Sequence, residues 1–334
     1  MKKLTVLLFS ALLLLAGCSG GQESAENGKD KQTESKNEKV TVVLDWTPNT
    51  NHTGLYVAEE KGYFKEEGLD VEIILPGEAG AEQLVASGKA DFGVSHQETV
   101  TEARVQGLPV VSIAAIIQHN TSGFASPVEK NIKSPKDFVG KTYGGWGGPA
   151  EKPVISTLMN AEKTNVDDVS FVNMGETDFF TAVKRDIDFA WIFYAWTGIE
   201  AELRGEKLNM IYLTDYSKNL DYYTPILVAN EGKIKDNADQ VKKFMNAVSK
   251  GYNFAIENPA EAADILIKEN PDLDAELVKK SQEWLSPRYK DDASRWGEQK
   301  QEVWENYTKW MFENKVLEKE LDAKSAFTNE FLPK

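Results

Sequence analysis

Short apolar runs alternate with helical patterns from about residue 40 to residue 230, and this alternation constrains the fold more than any other feature. The apolar runs predict strands at 41–44, 69–75, 91–95, 110–117, 124–128, 141–143, 169–172, 188–193 and 222–229. The segments between them predict helices at 54–63, 81–87, 98–106, 134–137, 152–162, 178–185 and 197–204. Strands that alternate with helices are typical of an α/β fold with a parallel-type sheet.

From residue 236 onward the pattern is helical, and it predicts helices at 237–257, 259–269, 274–285 and 291–314. Several aromatic residues in this region fall partly at helical spacing, which favours a buried core over a binding surface. These residues are Trp296, Trp304, Tyr307 and Trp310. Residues 40–334 amount to about 295 residues, and a chain of that length usually forms two domains rather than one core.

The N-terminus has the pattern of an export signal. Lys2 and Lys3 precede an apolar run over 4–16, which is followed by Gly17 and Cys18. The run is too short to span a bilayer, which takes about 20 apolar residues. Residues 14–18 resemble a bacterial lipobox, which implies that a signal peptide, residues 1–17, is removed and that Cys18 is diacylated.

The resemblance to a lipobox therefore predicts an extracytoplasmic protein that is anchored to the cell membrane by the lipid on Cys18. The alternative is a cleaved secretory signal with an incidental cysteine. With Cys18 lipidated, residues 18–39 would form a flexible linker between the anchor and the folded part. Residues 19–39 are polar apart from Ala25 and cannot bury enough apolar surface to fold.

Composition excludes several classes of site. Cys18 is the only cysteine, so we expect no disulfide, no cysteine-ligated metal and no thiolate nucleophile. The three histidines, His52, His96 and His119, are far apart in sequence, and we predict no metal site and no cofactor. A net charge of −15 argues against nucleic acid and anionic lipid as ligands.

In open α/β sheets, ligands bind at the loops that follow the carboxyl ends of the strands. In the first half of the chain, two such loops supply candidate ligand-binding residues, namely Trp46, Asn49, Ser95, His96, Gln97 and Glu98. The first loop could instead be a capped turn with Trp46 in the core, and the second could be a satisfied helix cap.

Two loops in the second half of the chain carry glycines and aromatic residues. The glycine-rich loop 143–149 lacks the lysine and the spacing of a nucleotide-binding P-loop, and we expect its small residues to let a ligand approach the backbone. The candidates in these loops are Trp146, Gly147, Trp191, Tyr194 and Trp196. Candidate carboxylates are Glu98, Glu176, Asp178 and Glu200.

Four segments, 58–72, 87–93, 132–141 and 223–228, resemble type II periplasmic-type solute-binding proteins. Within that superfamily, 44–56 resembles the branch that binds thiamine pyrimidine precursors. The resemblance implies two lobes, 40–123 with 230–334 and 124–229, joined by crossover strands at about 124–128 and 222–229. The ligand would lie in the cleft between the lobes, which would close on it.

The same resemblance implies a function in thiamine salvage. The protein would capture N-formyl-4-amino-5-aminomethyl-2-methylpyrimidine and deliver it to the permease and ATPase subunits of an ABC importer. A flat, neutral heterocycle suits tryptophan-rich loops, because aromatic rings stack on its faces.

Other readings remain open. The same fold could bind a sulfonate, nitrate or another heterocycle, although the loops contain no arginine or lysine apart from Lys152. Eukaryotic relatives of this family are pyrimidine synthases with a cysteine-rich run. The loop that resembles that position, 191–196, has no cysteine, and we therefore expect a binding protein without catalytic residues. An adhesive or purely structural lipoprotein would not need aromatic loops of this kind.

Overall fold

The computed structural model describes residues 37–175 and 177–334. The predicted signal peptide, Cys18, most of the linker and the candidate carboxylate Glu176 lie outside these residues. None of the described helices combines the length and the apolar character that a membrane span requires.

The strands, in chain order, are β1 Glu38–Val43, β2 Leu69–Ile74, β3 Phe92–Ser95, β4 Val110–Ala115, β5 Ser122–Pro127, β6 Thr142–Gly145, β7 Ser170–Asn173, β8 Phe189–Phe193, β9 Leu208–Tyr212 and β10 Ile226–Asn230. The helices are α1 Thr53–Glu60, α2 Tyr63–Glu66, α3 Ala81–Ala86, α4 Gln97–Val105, α5 Glu151–Ala161, α6 Phe179–Arg185, α7 Ile199–Arg204, α8 Glu231–Asp236, α9 Ala238–Glu257, α10 Pro259–Glu269, α11 Ala275–Leu285 and α12 Gln301–Glu313.

These strands form two mixed sheets. The first has the order β2-β1-β3-β10-β4, and the second has the order β7-β6-β8-β5-β9. β1 is parallel to β2 and β3, and β6 is parallel to β7 and β8. The carboxyl ends of β1 and β3 therefore share one edge of the first sheet, and those of β6 and β8 share one edge of the second.

Each sheet has its own core. On the first sheet, the amphipathic α9 packs Phe244 against Phe92 with the ring centroids 3.8 Å apart. On the second, Phe138 stacks on Phe189 at 4.1 Å. The C-terminal α12 also contributes Trp310 to the second core, where its indole nitrogen donates to Thr157 at 3.0 Å. The predicted burial of the C-terminal aromatic residues is confirmed, since Trp296, Trp304, Tyr307 and Trp310 are all buried.

The structure differs from the predicted elements in several places, of which three affect the architecture. The sheets are mixed rather than parallel, because β5 and β10 each run antiparallel to their neighbours. The strand β9 was not predicted. The predicted helix 291–314 begins only at Gln301, because Asp291 and Gly297 have φ angles of +41° and +87°, and a left-handed backbone cannot continue an α-helix.

The two predicted crossovers lie in different sheets. β5, at the first crossover, is an inner strand of the second sheet, whereas β10, at the second crossover, is an inner strand of the first. Residues 226–229, which the resemblance places in the second lobe, therefore belong to the first sheet. The chain enters β10 from the second sheet, which is why β10 runs against β3 and β4.

Candidate functional site

A carboxylate and two imidazoles meet at the edge where β1 and β3 end. Asp45 follows β1, and its carboxylate binds His52 Nε2 at 2.6 Å and His96 Nε2 at 3.3 Å. The other ring nitrogen of His96 bonds the hydroxyl of Thr224 at 2.9 Å. Thr224 lies here because β10 begins beside the end of β3, with Ile226 opposite Ser95.

These contacts determine the charge of the group. Burial disfavours the charged form of Asp45, but hydrogen bonds from His52 and His96, together with the charge on His96, outweigh it and hold the pKa of Asp45 well below its usual range. Burial also disfavours the charged form of His96, but its hydrogen bond and ion pair with Asp45 raise the pKa of His96 to about 9. At neutral pH both N–H groups of His96 therefore donate within the protein, and neither is free for a ligand.

The loop after β1 is a capped 3₁₀ turn. The Asn49 side-chain oxygen accepts from the Asn51 amide at 2.9 Å, and the Asn49 side-chain amide donates to the Thr47 carbonyl at 2.9 Å. The backbone amide of Asn49 donates to His52 Nδ1 at 3.2 Å, so the proton of His52 is on the nitrogen that faces Asp45. Asn49 is thus occupied as a cap, whereas Trp46 is 61% exposed and is not part of the core.

Two further candidates after β3 are also used internally. Ser95 is fully buried and donates to Glu82. The Gln97 side chain accepts from the Tyr223 amide at 2.9 Å and donates to the Val303 carbonyl at 3.4 Å. Gln97 therefore ties α4 to the chain before β10 and to α12, and its ligand-binding role remains only a sequence-based prediction.

Glu98 differs from these residues because one of its carboxylate oxygens accepts no hydrogen bond from any residue that the structure describes. Its Oε2 atom is buried and has no partner among the described residues. Burial raises the pKa of Glu98, and the charge on His96 partly opposes this shift. Buried acceptors are nearly always hydrogen-bonded, so an unmatched carboxylate oxygen marks Glu98 as a candidate for contact with a ligand.

At the matching edge of the second sheet, two indoles lie together. Trp146 directly follows β6 and is 54% exposed. Its ring centroid lies 5.3 Å from that of Trp191, the middle residue of β8, with the planes tilted by 47°. Trp191 is 9% exposed, and its indole nitrogen is buried without a partner in the described part of the chain. This edge offers an open aromatic surface and one unused donor.

The glycine-rich loop is shaped by a residue that sequence reasoning missed, Glu151. This carboxylate is only 4% exposed and accepts from the Gly148 amide. A Cβ on Gly145 would lie 1.6 Å from its Oε2 atom, and Gly147 has a φ of +89°. An acidic residue in the first turn of α5 is a helix-start signal that could have identified it. Because Glu151 occupies the Gly148 amide, the loop is not an open phosphate cradle.

The other aromatic candidates lie against the first core. Tyr194–Gly198 forms one turn of π-helix after β8. Tyr194 donates to Glu202 and packs 5.2 Å from Trp284 of α11, and Trp196 packs against the core of the first sheet. Glu200 forms an ion pair with Arg204 one turn along α7. These three residues thus have partners other than the pair formed by Trp146 and Trp191.

One cluster in the described part of the chain has metal-ligand spacing. Ligand atoms of His119, Asp291 and Asp292 lie within 4.8 Å of one another. His119 donates to Asp221 at 2.8 Å, and this bond, against the effect of burial, raises the pKa of His119 to about 9. A protonated imidazole cannot ligate a metal, so a proton competes for this position at neutral pH. A neighbouring cavity of about 290 Å³ is lined by His119, Tyr212, Trp284 and Arg288, among others.

Comparison with known proteins identifies relatives over most of the chain. Residues 49–262 match the family described as NMT1/THI5 like. A formylaminopyrimidine-binding protein of Halalkalibacterium halodurans is 30% identical, with 96% of this chain and 97% of the relative aligned. A 4-amino-5-hydroxymethyl-2-methylpyrimidine phosphate synthase of Legionella pneumophila is 26% identical, with 88% of this chain and 92% of the relative aligned.

Solved structures with the same fold are more distant in sequence. The periplasmic aliphatic sulphonate-binding protein of Escherichia coli superimposes with a TM-score of 0.70 at 13% identity, covering 89% of this chain and 94% of that one. A Candida albicans protein with the generic periplasmic binding protein fold gives 0.61 at 17% identity, covering 89% and 98%. These matches confirm the predicted fold class.

Proposed function

The chain belongs to the NMT1/THI5-like family, and on that premise we propose that it is the substrate-binding lipoprotein of an ABC importer for thiamine salvage. Its ligand in this proposal is N-formyl-4-amino-5-aminomethyl-2-methylpyrimidine. The relative from Halalkalibacterium halodurans, named for binding formylaminopyrimidine, aligns along nearly its whole length. Permease and ATPase subunits would be the partners, as is general for such importers.

The observation that carries the proposal is the chemistry of the strand-end loops. Trp46 and Trp146 are largely exposed at the ends of β1 and β6, although exposed indoles are unfavourable in water. Segments 44–53, 95–98 and 143–150 contain no arginine or lysine. Such loops suit a flat, neutral ring, because each stacked aromatic pair contributes about 0.5–1.5 kcal/mol beyond the area it buries.

We assign the polar contacts to the two unused groups. Glu98 Oε2 would accept from the exocyclic amine, and the Trp191 indole N–H would donate to a ring nitrogen. Tyr222 supports this placement: it belongs to the same apolar core as Trp191, while burial and the nearby charge of Glu98 raise the pKa of Tyr222. An analogue that left these buried groups unmatched would bind less well.

Two rival functions are disfavoured. A sulfonate would need cations in the strand-end loops. These loops contain no arginine or lysine, and the protonated His96 already donates both of its N–H groups to Asp45 and Thr224. A synthase of the kind named among the relatives would use a cysteine-rich run by the resemblance described above. The single cysteine of this chain is Cys18, so we propose a binding protein rather than an enzyme.

The lipid anchor is part of the same proposal. Lipidated Cys18 would hold the protein on the outer face of the cell membrane behind the linker. Mass spectrometry of the mature N-terminal peptide should show a diacylated cysteine at position 18, and Cys18→Ser should release the protein from the membrane fraction. Recovery of an unmodified cysteine would contradict this assignment.

Fluorescence titration of the purified full-length protein tests the ligand assignment. The formylated pyrimidine should quench tryptophan emission, and Trp146→Ala should weaken binding about tenfold through the loss of one stacking wall. Phe312→Ala is the matched control, because Phe312 is also an exposed aromatic but lies on α12. A flat titration with the wild type, together with a response to an alkanesulfonate, would replace the proposed ligand with an anion.

A further inference from the structure

The C-terminal helices hold the loop that follows β1 through buried hydroxyl groups. Thr50 Oγ1 lies 2.6 Å from Ser281 Oγ, and Thr53 donates to the Gln282 side-chain oxygen at 2.6 Å. Tyr252 of α9 donates to the Asn51 carbonyl at 2.7 Å. Ser281, Gln282 and Thr50 are all essentially inaccessible to solvent. The loop that carries Trp46 is therefore fixed to α11 and α9.

Ser281 makes a second contact, to the chain that follows β8. Its hydroxyl donates to the Ala195 carbonyl in the π-helical turn Tyr194–Gly198. A hydroxyl has one proton, and a carbonyl can only accept. The Ser281 proton therefore points to Ala195, and Thr50 must donate to Ser281. The result is a directed chain of hydrogen bonds from the loop of the first sheet to the turn of the second.

We propose that Ser281 is a latch that holds the strand-end loops of the two sheets in the arrangement that binds ligand. The proposal rests on the proposed function in that it assigns both loops to the ligand site. Ala195 follows β8 of the second sheet, whereas Ser281 lies on α11, which packs in the first core. Moving the two sheets apart would therefore break the bond between Ala195 and Ser281. Removing the hydroxyl takes a buried hydrogen bond from the Ala195 carbonyl in the joined arrangement only, because that bond is already broken, and water replaces it, once the sheets separate.

Hydrogen–deuterium exchange of the ligand-free, full-length protein tests the latch directly. Ser281→Ala should speed amide exchange across 194–204 about tenfold. Ser286→Ala is the matched control, because Ser286 is also buried next to α11, but its hydroxyl faces the Ala255 and Gln282 carbonyls, both within the first core. Thr50→Val keeps the Ser281–Ala195 bond and should change exchange at 194–204 less than twofold. Unchanged exchange in Ser281→Ala overturns the proposal.

Affinity for the formylated pyrimidine supplies the second readout. Ser281→Ala should raise the Kd about tenfold, and Ser286→Ala should leave it within twofold of the wild type. Equal Kd values for Ser281→Ala and the wild type overturn the latch, although the proposed ligand would stand. If the wild type does not bind this pyrimidine, the proposed function fails, and the exchange measurement alone decides the latch.

Discussion

The stability of the wild-type protein should fall with pH above neutrality, and replacing Asp45 by asparagine should remove this dependence. Asp45 raises the pKa of His96 from its ordinary 6.5 to about 9. A histidine whose pKa is higher in the folded than in the unfolded state stabilises the fold fully below pH 6.5. This stabilisation is lost as the pH rises through about 9.

The size of the effect follows from the shift. With folded and unfolded pKa values of about 9 and 6.5, the free energy of unfolding should fall by about 2.5 kcal/mol between pH 6.5 and pH 9. This is an upper value, since 30% of the His96 side chain is exposed to solvent. The charges of Glu82 and Glu98 also raise the pKa of His96, but less than Asp45 does. Asp45→Asn should therefore remove most of the fall.

Urea denaturation between pH 6 and pH 9.5 measures the effect as the difference between the two curves. Glu102, whose pKa burial raises to about 7, titrates in both proteins and cancels. Asp221→Asn is the matched control, because Asp221 raises the pKa of His119 in the same way. The His119 side chain is 42% exposed, so this substitution should change the pH dependence of the free energy of unfolding less than Asp45→Asn does. Parallel curves for the wild type and Asp45→Asn would refute the ion pair as the cause.

Three further substitutions test the packing and the site. Gly54→Ala should lower the free energy of unfolding in urea by about 1–3 kcal/mol, because the new Cβ would lie 2.3 Å from the ring of Tyr252. A smaller loss would contradict this close approach of α1 to α9. Gly145→Ala should disorder the loop that carries Trp146, because the Cβ would overlap Glu151; unchanged ligand quenching would argue against that role. Glu98→Gln should leave the melting temperature unchanged or raise it, since burial already opposes the charged form of Glu98. Calorimetry should show that the same substitution weakens ligand binding about tenfold. Unchanged affinity would remove Glu98 from the site.

The sequence determined the local structure because periodicity and turn chemistry act over neighbouring residues. Alternation of apolar residues located most of the strands, and the helical spacing of Trp304, Tyr307 and Trp310 correctly predicted that they are buried. Two local errors have local causes. The half-buried strand β9 gave no clear alternation, and two residues with positive φ delayed the start of α12. The position of Trp46, Trp146 and His96 at strand ends was also readable from the chain.

Tertiary structure alone decided which of those side chains remain available. Gln97 looked like a ligand contact, but its partner, the Tyr223 amide, lies 126 positions away. His96 looked like a free donor, but Asp45 and Thr224 engage both of its ring nitrogens. Thr224 lies 128 positions away in the sequence. The contact of Ser281 with Ala195 joins segments 86 positions apart. Hydrogen-bond partners depend on how the sheets and helices pack, and no local pattern encodes such distant pairings.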